Sequence, residues 1–325
     1  MNLWARWLQI LARTESGTAL ALFRIALATC ALWNVGSAVS HDLVDAIWID
    51  QAYGGYRDLG KGGAYFKLVG GATPTTVWTA VVLSLSSSLL LIVGLGGRWT
   101  AFLALQSFQA LSWANGHAGG SYDLLLANGM WLLVLGRSTA TLSADCRLRQ
   151  GRWTSDQPIS AWPRYLVVLQ LVVMYTSTGL HKVSASWTPA GDFSALYFIF
   201  QQPTWQRFDM AWTAHVFPLT QLATVTTWLW EISAPLLLLS FWYRWTRLRG
   251  GRLRGFMNRL DWRRPFALFG LVLHLGIYVV MEVGTFTPTT LCFYLCLWHP
   301  DEWHLRFRRL RPPFPGARVP DAERA

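Results

Sequence analysis

A chain of 325 residues that is 53% hydrophobic and only 14% charged, with mean hydropathy +0.28, cannot clothe an ordinary water-soluble globule, whose surface draws on roughly 25% charged residues. A net charge of +11 would suggest nucleic acid in a soluble chain, yet the arginines fall between apolar runs, where they read as topology signals, so the expected partner is membrane lipid and not nucleic acid. The composition predicts an all-α polytopic membrane protein, and the 20 tryptophans suit the headgroup zones of a bilayer.

In chain order, hydropathy places about eight transmembrane helices: Gly17–Ser40, Pro74–Gly94, Trp99–Ala114, Tyr122–Thr141, Pro163–Gly179, Pro218–Tyr243, Pro265–Val283 and Gly284–Trp298. Arg6 and Arg13 precede the first run as they would in a secretory signal, but that run contains Arg24 and shows no small-residue cleavage site, so it reads as a retained span. His41–Trp48 and Phe193–Phe200 mix apolar and polar residues and are expected to form short interfacial helices. Every second connection is rich in arginine, most of all the linker Arg244–Arg264, whereas the stretches 115–121, 184–217 and 283–288 hold only Arg207. This alternation predicts cytoplasmic termini, insertion in the inner (plasma) membrane and Arg-poor loops facing outward. Residues 1–303 thus form one helical transmembrane domain, and 304–325 a basic, Pro-rich, disordered cytoplasmic tail. No internal repeat, phosphate-binding glycine loop, HExxH pattern or zinc-like cysteine spacing occurs, so no metal is expected.

Ionisable groups inside a bilayer cost about 2.5 kcal/mol or more each, so those present call for a reason. Arg24 in span one and Glu231 in span six read as structural intramembrane charges, with Arg24 expected either to snorkel inward or to pair with Glu231. Asp123 stands at the start of span four, where it can cap the helix, with His117 on the opposite side of the same loop. Lys182 follows span five beside His181, a position where a lysine either snorkels to the headgroups or serves a site. His274, Tyr278 and Glu282 recur at i, i+4 and i+8 and so share one helix face pointing to the outer surface. His274 is as well suited to a helix-to-helix hydrogen bond as to a ligand.

The segment YTSTGLHKVSASW, Tyr175–Trp187, resembles the signature of the vitamin K-dependent γ-carboxylase family and its bacterial relatives, the HTTM-domain proteins. In that family a span ends in a small-residue stretch, a basic pair and a short loop to tryptophan. The second member of the pair is the catalytic base, which maps onto Lys182, while His181 stands where the animal carboxylase has lysine. Further similarity lies in LALFRIALA at Leu20–Ala28, in VGLGGRW at Val93–Trp99, in SWANGH at Ser112–His117, and in the sequence from His274 through Gly284 and Phe286 to HPDEW at His299–Trp303. The resemblance spans residues 17 to 303 and implies functional roles for Lys182 and His274.

It implies chemistry in which a reduced naphthoquinone or similar quinol, deprotonated by a lysine base, reacts with oxygen to drive epoxidation and deprotonation or carboxylation of a carbon acid. Burial suits a lysine to that task, because the ammonium form loses its hydration there. His274 would donate a hydrogen bond to a ligand oxygen, with His117, His181, Tyr278 and Glu282 as further quinone-binding candidates. The animal carboxylase carries a large luminal region after its helices, whereas this chain ends soon after span eight, an expectation against glutamate carboxylation of a clotting-factor-like substrate. The alternative is a non-catalytic membrane factor for maturation or export of a secreted peptide, of the sporulation-delaying type. A small transporter has less support, since intramembrane charges are few and no paired broken helices recur in two halves.

Overall fold

The structure, a computed structural model, describes residues 3–310. After a short amphipathic helix, α1 (Leu3–Leu11), the chain forms β1 (Thr14–Ser16), which pairs antiparallel with the distant β2 (Pro158–Ser160). This two-stranded ribbon is the one departure from the all-helical expectation among the described residues. There follow α2 (Thr18–Ser40), α3 (Pro74–Val93), α4 (Gly97–Ala114), α5 (Ser121–Leu135), α6 (Trp162–His181), α7 (Phe217–Ile232), α8 (Leu236–Trp245), α9 (Arg252–Leu260), α10 (Arg263–Val280), α11 (Phe286–Tyr294) and α12 (Pro300–Leu310). Short helices at Val44–Trp48 and Ala195–Phe200 occupy the two loops read as interfacial.

Local chemistry sets the ends of these helices. At α3, Thr73 and Thr76 form a reciprocal capping box ahead of Pro74, whose missing N–H is one the first turn would leave unpaired anyway. Gly94 ends α3 at φ +72°, and a Cβ there would lie 2.9 Å from the Arg24 Cζ, so this glycine makes room for a buried guanidinium. At α5 the Asp123 carboxylate accepts the Gly120 N–H at 3.1 Å, which is the capping role open to it in the sequence.

The core sits around α2. Leu20, Phe23, Leu27, Ala28 and Ala31 are fully buried, and α2 packs against α3, α5 and α11. Ser84, Ser87 and Ser88 of α3 are buried too, small residues that let neighbouring helices approach closely. On the outside the pattern inverts: Val82, Leu89, Trp99, Val173, Val272 and Val279 are exposed, as suits helices solvated by lipid.

Among the described residues, three helical stretches are long and apolar enough to cross a membrane. They are α2, α3 and the run Arg252–Val280, which carries α9 into α10 across residues 261–262. A fourth is counted if the helix Ala211–Ile232 and α8, bent by 48° at their junction, are one span. The expected span Pro218–Tyr243 is therefore broken, and the cause is local: Pro235 has no N–H to continue the ladder after Ser233 and Ala234. Span four likewise stops at Leu135 instead of Thr141, and α5 and α11 are apolar but short.

One end of the bundle is fastened by buried ion pairs. Arg164 holds Glu15 with two bonds of 2.7 Å and donates to the Cys296 carbonyl at 3.1 Å, tying β1, α6 and the turn after α11. Arg263 donates to Asp261, Glu302 and the Leu297 carbonyl, and Arg244 reaches Glu302 at 2.8 Å. Burial alone raises the Glu302 carboxyl, but the hydrogen bond and charge of Arg263, the His299 N–H and the charge of Arg244 outweigh it and hold it at about 2. These contacts anchor α12, so the helical body runs past residue 303 and residues 304–310 are helix, not tail. The remainder of the expected tail lies outside the described residues.

Candidate functional site

A cavity of about 1220 Å³ opens between α5, α6, α7 and α10, closed on one side by Trp187, the Ala195–Phe200 helix and Phe286. Its walls are mainly apolar, and several lining residues, among them Leu124, Leu169, Val173 and Val272, are themselves exposed on the flank of the molecule. The cavity is thus reached sideways, through the face that lipid covers. The polar groups in its walls include Lys182, Glu231 and His274.

Lys182 is the residue at which α6 leaves helical geometry, with φ −79° and ψ 66°. Its Nζ donates to the Glu231 carboxylate, and it lies 4.8 Å from the centroid of the Trp187 ring. The side chains of the pair are only 19% and 10% exposed, so both are largely withdrawn from the molecular surface. Gly179 makes the pairing possible: a Cβ there would come within 3.1 Å of the Glu231 Cβ, and the Trp228 indole donates to the Gly179 carbonyl at 3.1 Å. The small residue of the Tyr175–Trp187 segment therefore brings α6 and α7 together one turn before the lysine.

His274 is 2% exposed in the middle of α10. Its Nε2 lies 2.6 Å from the Tyr175 hydroxyl, which lies 2.8 Å from the Tyr294 hydroxyl, while Nδ1 has no hydrogen-bond partner among the described residues. Tyr175 is wedged against Trp230 and Phe266, so the chain of hydroxyls fixes the imidazole from a rigid aromatic wall. No polar or charged pattern in the sequence marks Tyr175 or Tyr294 as a pair, because the Tyr175 hydroxyl meets the imidazole and the Tyr294 hydroxyl meets that of Tyr175, across three helices far apart in the chain.

The expected Arg24–Glu231 pair does not form. Arg24 donates instead to the carbonyls of Ser138 and Leu142, at 2.5 and 2.6 Å, groups left without intrahelical partners beyond the end of α5. Glu231, in the last turn of α7, belongs to Lys182.

The expected common face of His274, Tyr278 and Glu282 also breaks down, because α10 ends at Val280 and Met281 is extended. Beyond that break the Glu282 N–H donates to the Trp205 carbonyl at 2.8 Å and its carboxylate meets Arg207 at 3.1 Å, while the Arg207 guanidinium lies 4.9 Å from the Tyr278 ring centroid. Tyr278 and Glu282 are thus drawn to the loop that carries Arg207, and neither lines the cavity. His117 and His181 are exposed, the latter bound through Nδ1 to the Ser177 carbonyl at 2.7 Å, and they too lie outside the cavity walls. The fold therefore brings Lys182, Glu231 and His274 to one cavity and leaves Arg24, His117, His181, Tyr278 and Glu282 out of it.

Among the described residues no group of three or more His, Cys, Asp or Glu is placed to hold a metal ion. Residues 12–197, more than half of the chain, match the HTTM domain family. That stretch includes Arg24, Tyr175 and Lys182, while Glu231 and His274 lie beyond it. No curated protein and no solved structure matches the chain. With its apolar helices and this match, the chain is a membrane protein that belongs to the HTTM domain family.

Proposed function

We propose that the protein is an integral membrane enzyme that binds a reduced quinone in the lateral cavity and uses the Lys182–Glu231 pair to accept a proton there. The observation that carries this reading is the placement of Lys182, Glu231 and His274 in the walls of one large apolar cavity. Cavities that bury a small ligand run to about 300–1,000 Å³, so this one has room for a ring system and part of an isoprenoid tail. The donor set suits a ligand with two ring oxygens: an ammonium group at one wall, and at another an imidazole whose Nδ1 lacks a partner among the described residues. Such a quinol would supply, with oxygen, the driving force for its own epoxidation and for deprotonation of a carbon acid, whose carbanion would be carboxylated by adding carbon dioxide.

The chain's own residues have distinct parts in this scheme. Glu231 and Trp187 hold Lys182 at the cavity wall, and transfer of one Nζ proton to the Glu231 carboxylate across their hydrogen bond would leave a neutral amine to take up the ligand's proton. Tyr175 and Tyr294 orient His274 toward a ligand oxygen. The apolar walls exclude water, which strengthens each of these interactions. The finer topology belongs to the same proposal: about eight spans, cytoplasmic termini, insertion in the plasma membrane and a site that faces outward, where a secreted peptide or protein supplies the carbon acid.

The test uses detergent-purified full-length protein, with mass spectrometry of co-purified quinones and quinol epoxidation under oxygen as two readouts. Lys182→Arg keeps the ion pair but cannot give a neutral amine, so turnover should be lost while quinone retention persists. His274→Ala should weaken retention. Normal turnover by the Arg variant would overturn the base assignment, and absence of both bound quinone and turnover in the unmutated protein would turn the reading toward a non-catalytic factor for secreted-peptide maturation.

A further inference from the structure

Between residues 244 and 264 the chain holds eight arginines and a single acid, Asp261. Three of them, Arg244, Arg247 and Arg254, converge with Asn258 on a cleft of about 320 Å³ between α8 and α9, and none of its lining residues lines the larger cavity. A topology signal needs only charge, with no fixed orientation, yet two of these guanidiniums are held in place. Arg244 is anchored by Asp261 and Glu302, and Arg254 donates to Thr246 Oγ1 and to the Gly250 carbonyl, both at 2.9 Å. The Arg247 side chain is exposed and has no hydrogen-bond acceptor among the described residues. No carboxylate among the described residues lines the cleft, and the two that hold Arg244 are also bound by Arg263.

The floor of the cleft is shaped by backbone. Gly250 (φ +70°, ψ −169°) and Gly251 (φ +100°, ψ 145°) occupy conformations that side-chain-bearing residues rarely adopt. Exposed apolar side chains border the cleft among further exposed arginines: Leu248, Leu253, Phe256 and Leu260, the last three on one face of α9. A patch with converging cations beside a bare hydrocarbon surface matches an amphiphile whose head is a phosphate and whose tail is an acyl chain.

From this we infer that the cleft between α8 and α9 is a binding site for the headgroup of an anionic phospholipid, with Arg247 and Arg254 on its phosphate and Leu253 and Phe256 against its acyl chains. The adjacent apolar residues decide for a lipid over free phosphate. Bound there, the lipid would fasten the α8–α9 junction to the membrane surface.

The experiment is a native mass spectrometry titration of the full-length protein in neutral detergent with dioleoylphosphatidylglycerol, dioleoylphosphatidylcholine or inorganic phosphate. Phosphatidylglycerol should be retained more tightly than phosphatidylcholine, and the double change Arg247→Gln/Arg254→Gln should weaken it on the order of twentyfold, from about fivefold per arginine. The control Arg259→Gln/Arg264→Gln removes the same charge outside the cleft and should leave retention within about twofold. Arg247→Gln alone, which breaks no internal hydrogen bond of that side chain, keeps the test valid if the double variant unfolds. Equal losses in the cleft and control variants would reduce the effect to diffuse surface charge and overturn the site. Equal retention of the two lipids, or inorganic phosphate competing as well as the lipid, would overturn the phospholipid assignment.

Discussion

Breaking the Lys182–Glu231 pair offers the most direct test of how the cavity is held together. A fully buried pair that loses one partner costs about 3–5 kcal/mol, because the remaining charge is left without compensation. Here the side chains keep 19% and 10% of their exposure and face a cavity, so part of that cost is relieved and each single change should cost roughly 2–3 kcal/mol. The two should differ: Glu231→Gln leaves Lys182 against the Trp187 ring, whereas Lys182→Met leaves the carboxylate with no other hydrogen-bond donor from a side chain among the described residues. Lys182→Met should therefore be the more damaging. The double variant Lys182→Met/Glu231→Gln should cost no more than one single change, about 2–3 kcal/mol where additivity would give about 4–6, a coupling of about 2–3 kcal/mol in a double-mutant cycle. The assay is thermal and denaturant unfolding in detergent micelles, with Arg24→Met/Glu231→Gln as a second cycle whose terms should simply add. Additive losses at Lys182 and Glu231, or strong coupling at Arg24 and Glu231, would refute the pairing.

Gly94→Ala places a Cβ 2.5 Å from that of Ser143 and strains a left-handed residue, so it should cost roughly 2–4 kcal/mol, read as a lowered Tm. Because the Glu302 carboxyl is held at about 2 instead of 4.5, the stability it contributes, about 1–2 kcal/mol after solvent screening of a half-buried group, is present above pH 4.5 and is lost as pH falls toward 2. Glu302→Gln should flatten that acid limb, and an unchanged profile by hydrogen exchange over α12 would refute the network's role. Single cysteines at Gly251 and Ser186, in a background lacking Cys30, Cys146, Cys292 and Cys296, should label from opposite sides of the membrane; labelling from one side would refute the proposed topology.

Much of the helical framework can be read from hydropathy: α2, α3 and α6 begin and end within a few residues of the expected spans. What escapes are features that hydropathy does not measure. The break at Pro235 depends on one missing N–H inside an unbroken apolar run. The expectation of Arg24 as the partner of Glu231 judges depth by distance along each span, whereas α6 ends level with the last turn of α7 and so places Lys182 beside the carboxylate. Lys182 and His274 are legible as residues out of place in apolar surroundings. Tyr175 and Tyr294 are not, since an aromatic residue in an apolar helix looks like ordinary core until its hydroxyl is seen to meet another.

The sideways opening of the cavity also bears on how any reaction there should be measured. An occupant arriving through the lipid-facing flank is drawn from a two-dimensional reservoir, so saturation should follow its mole fraction in the bilayer and not its nominal concentration in the buffer. Diluting the bilayer with inert lipid at constant total quinol should then slow turnover, and a detergent with a long, flexible tail should behave as a competitive inhibitor.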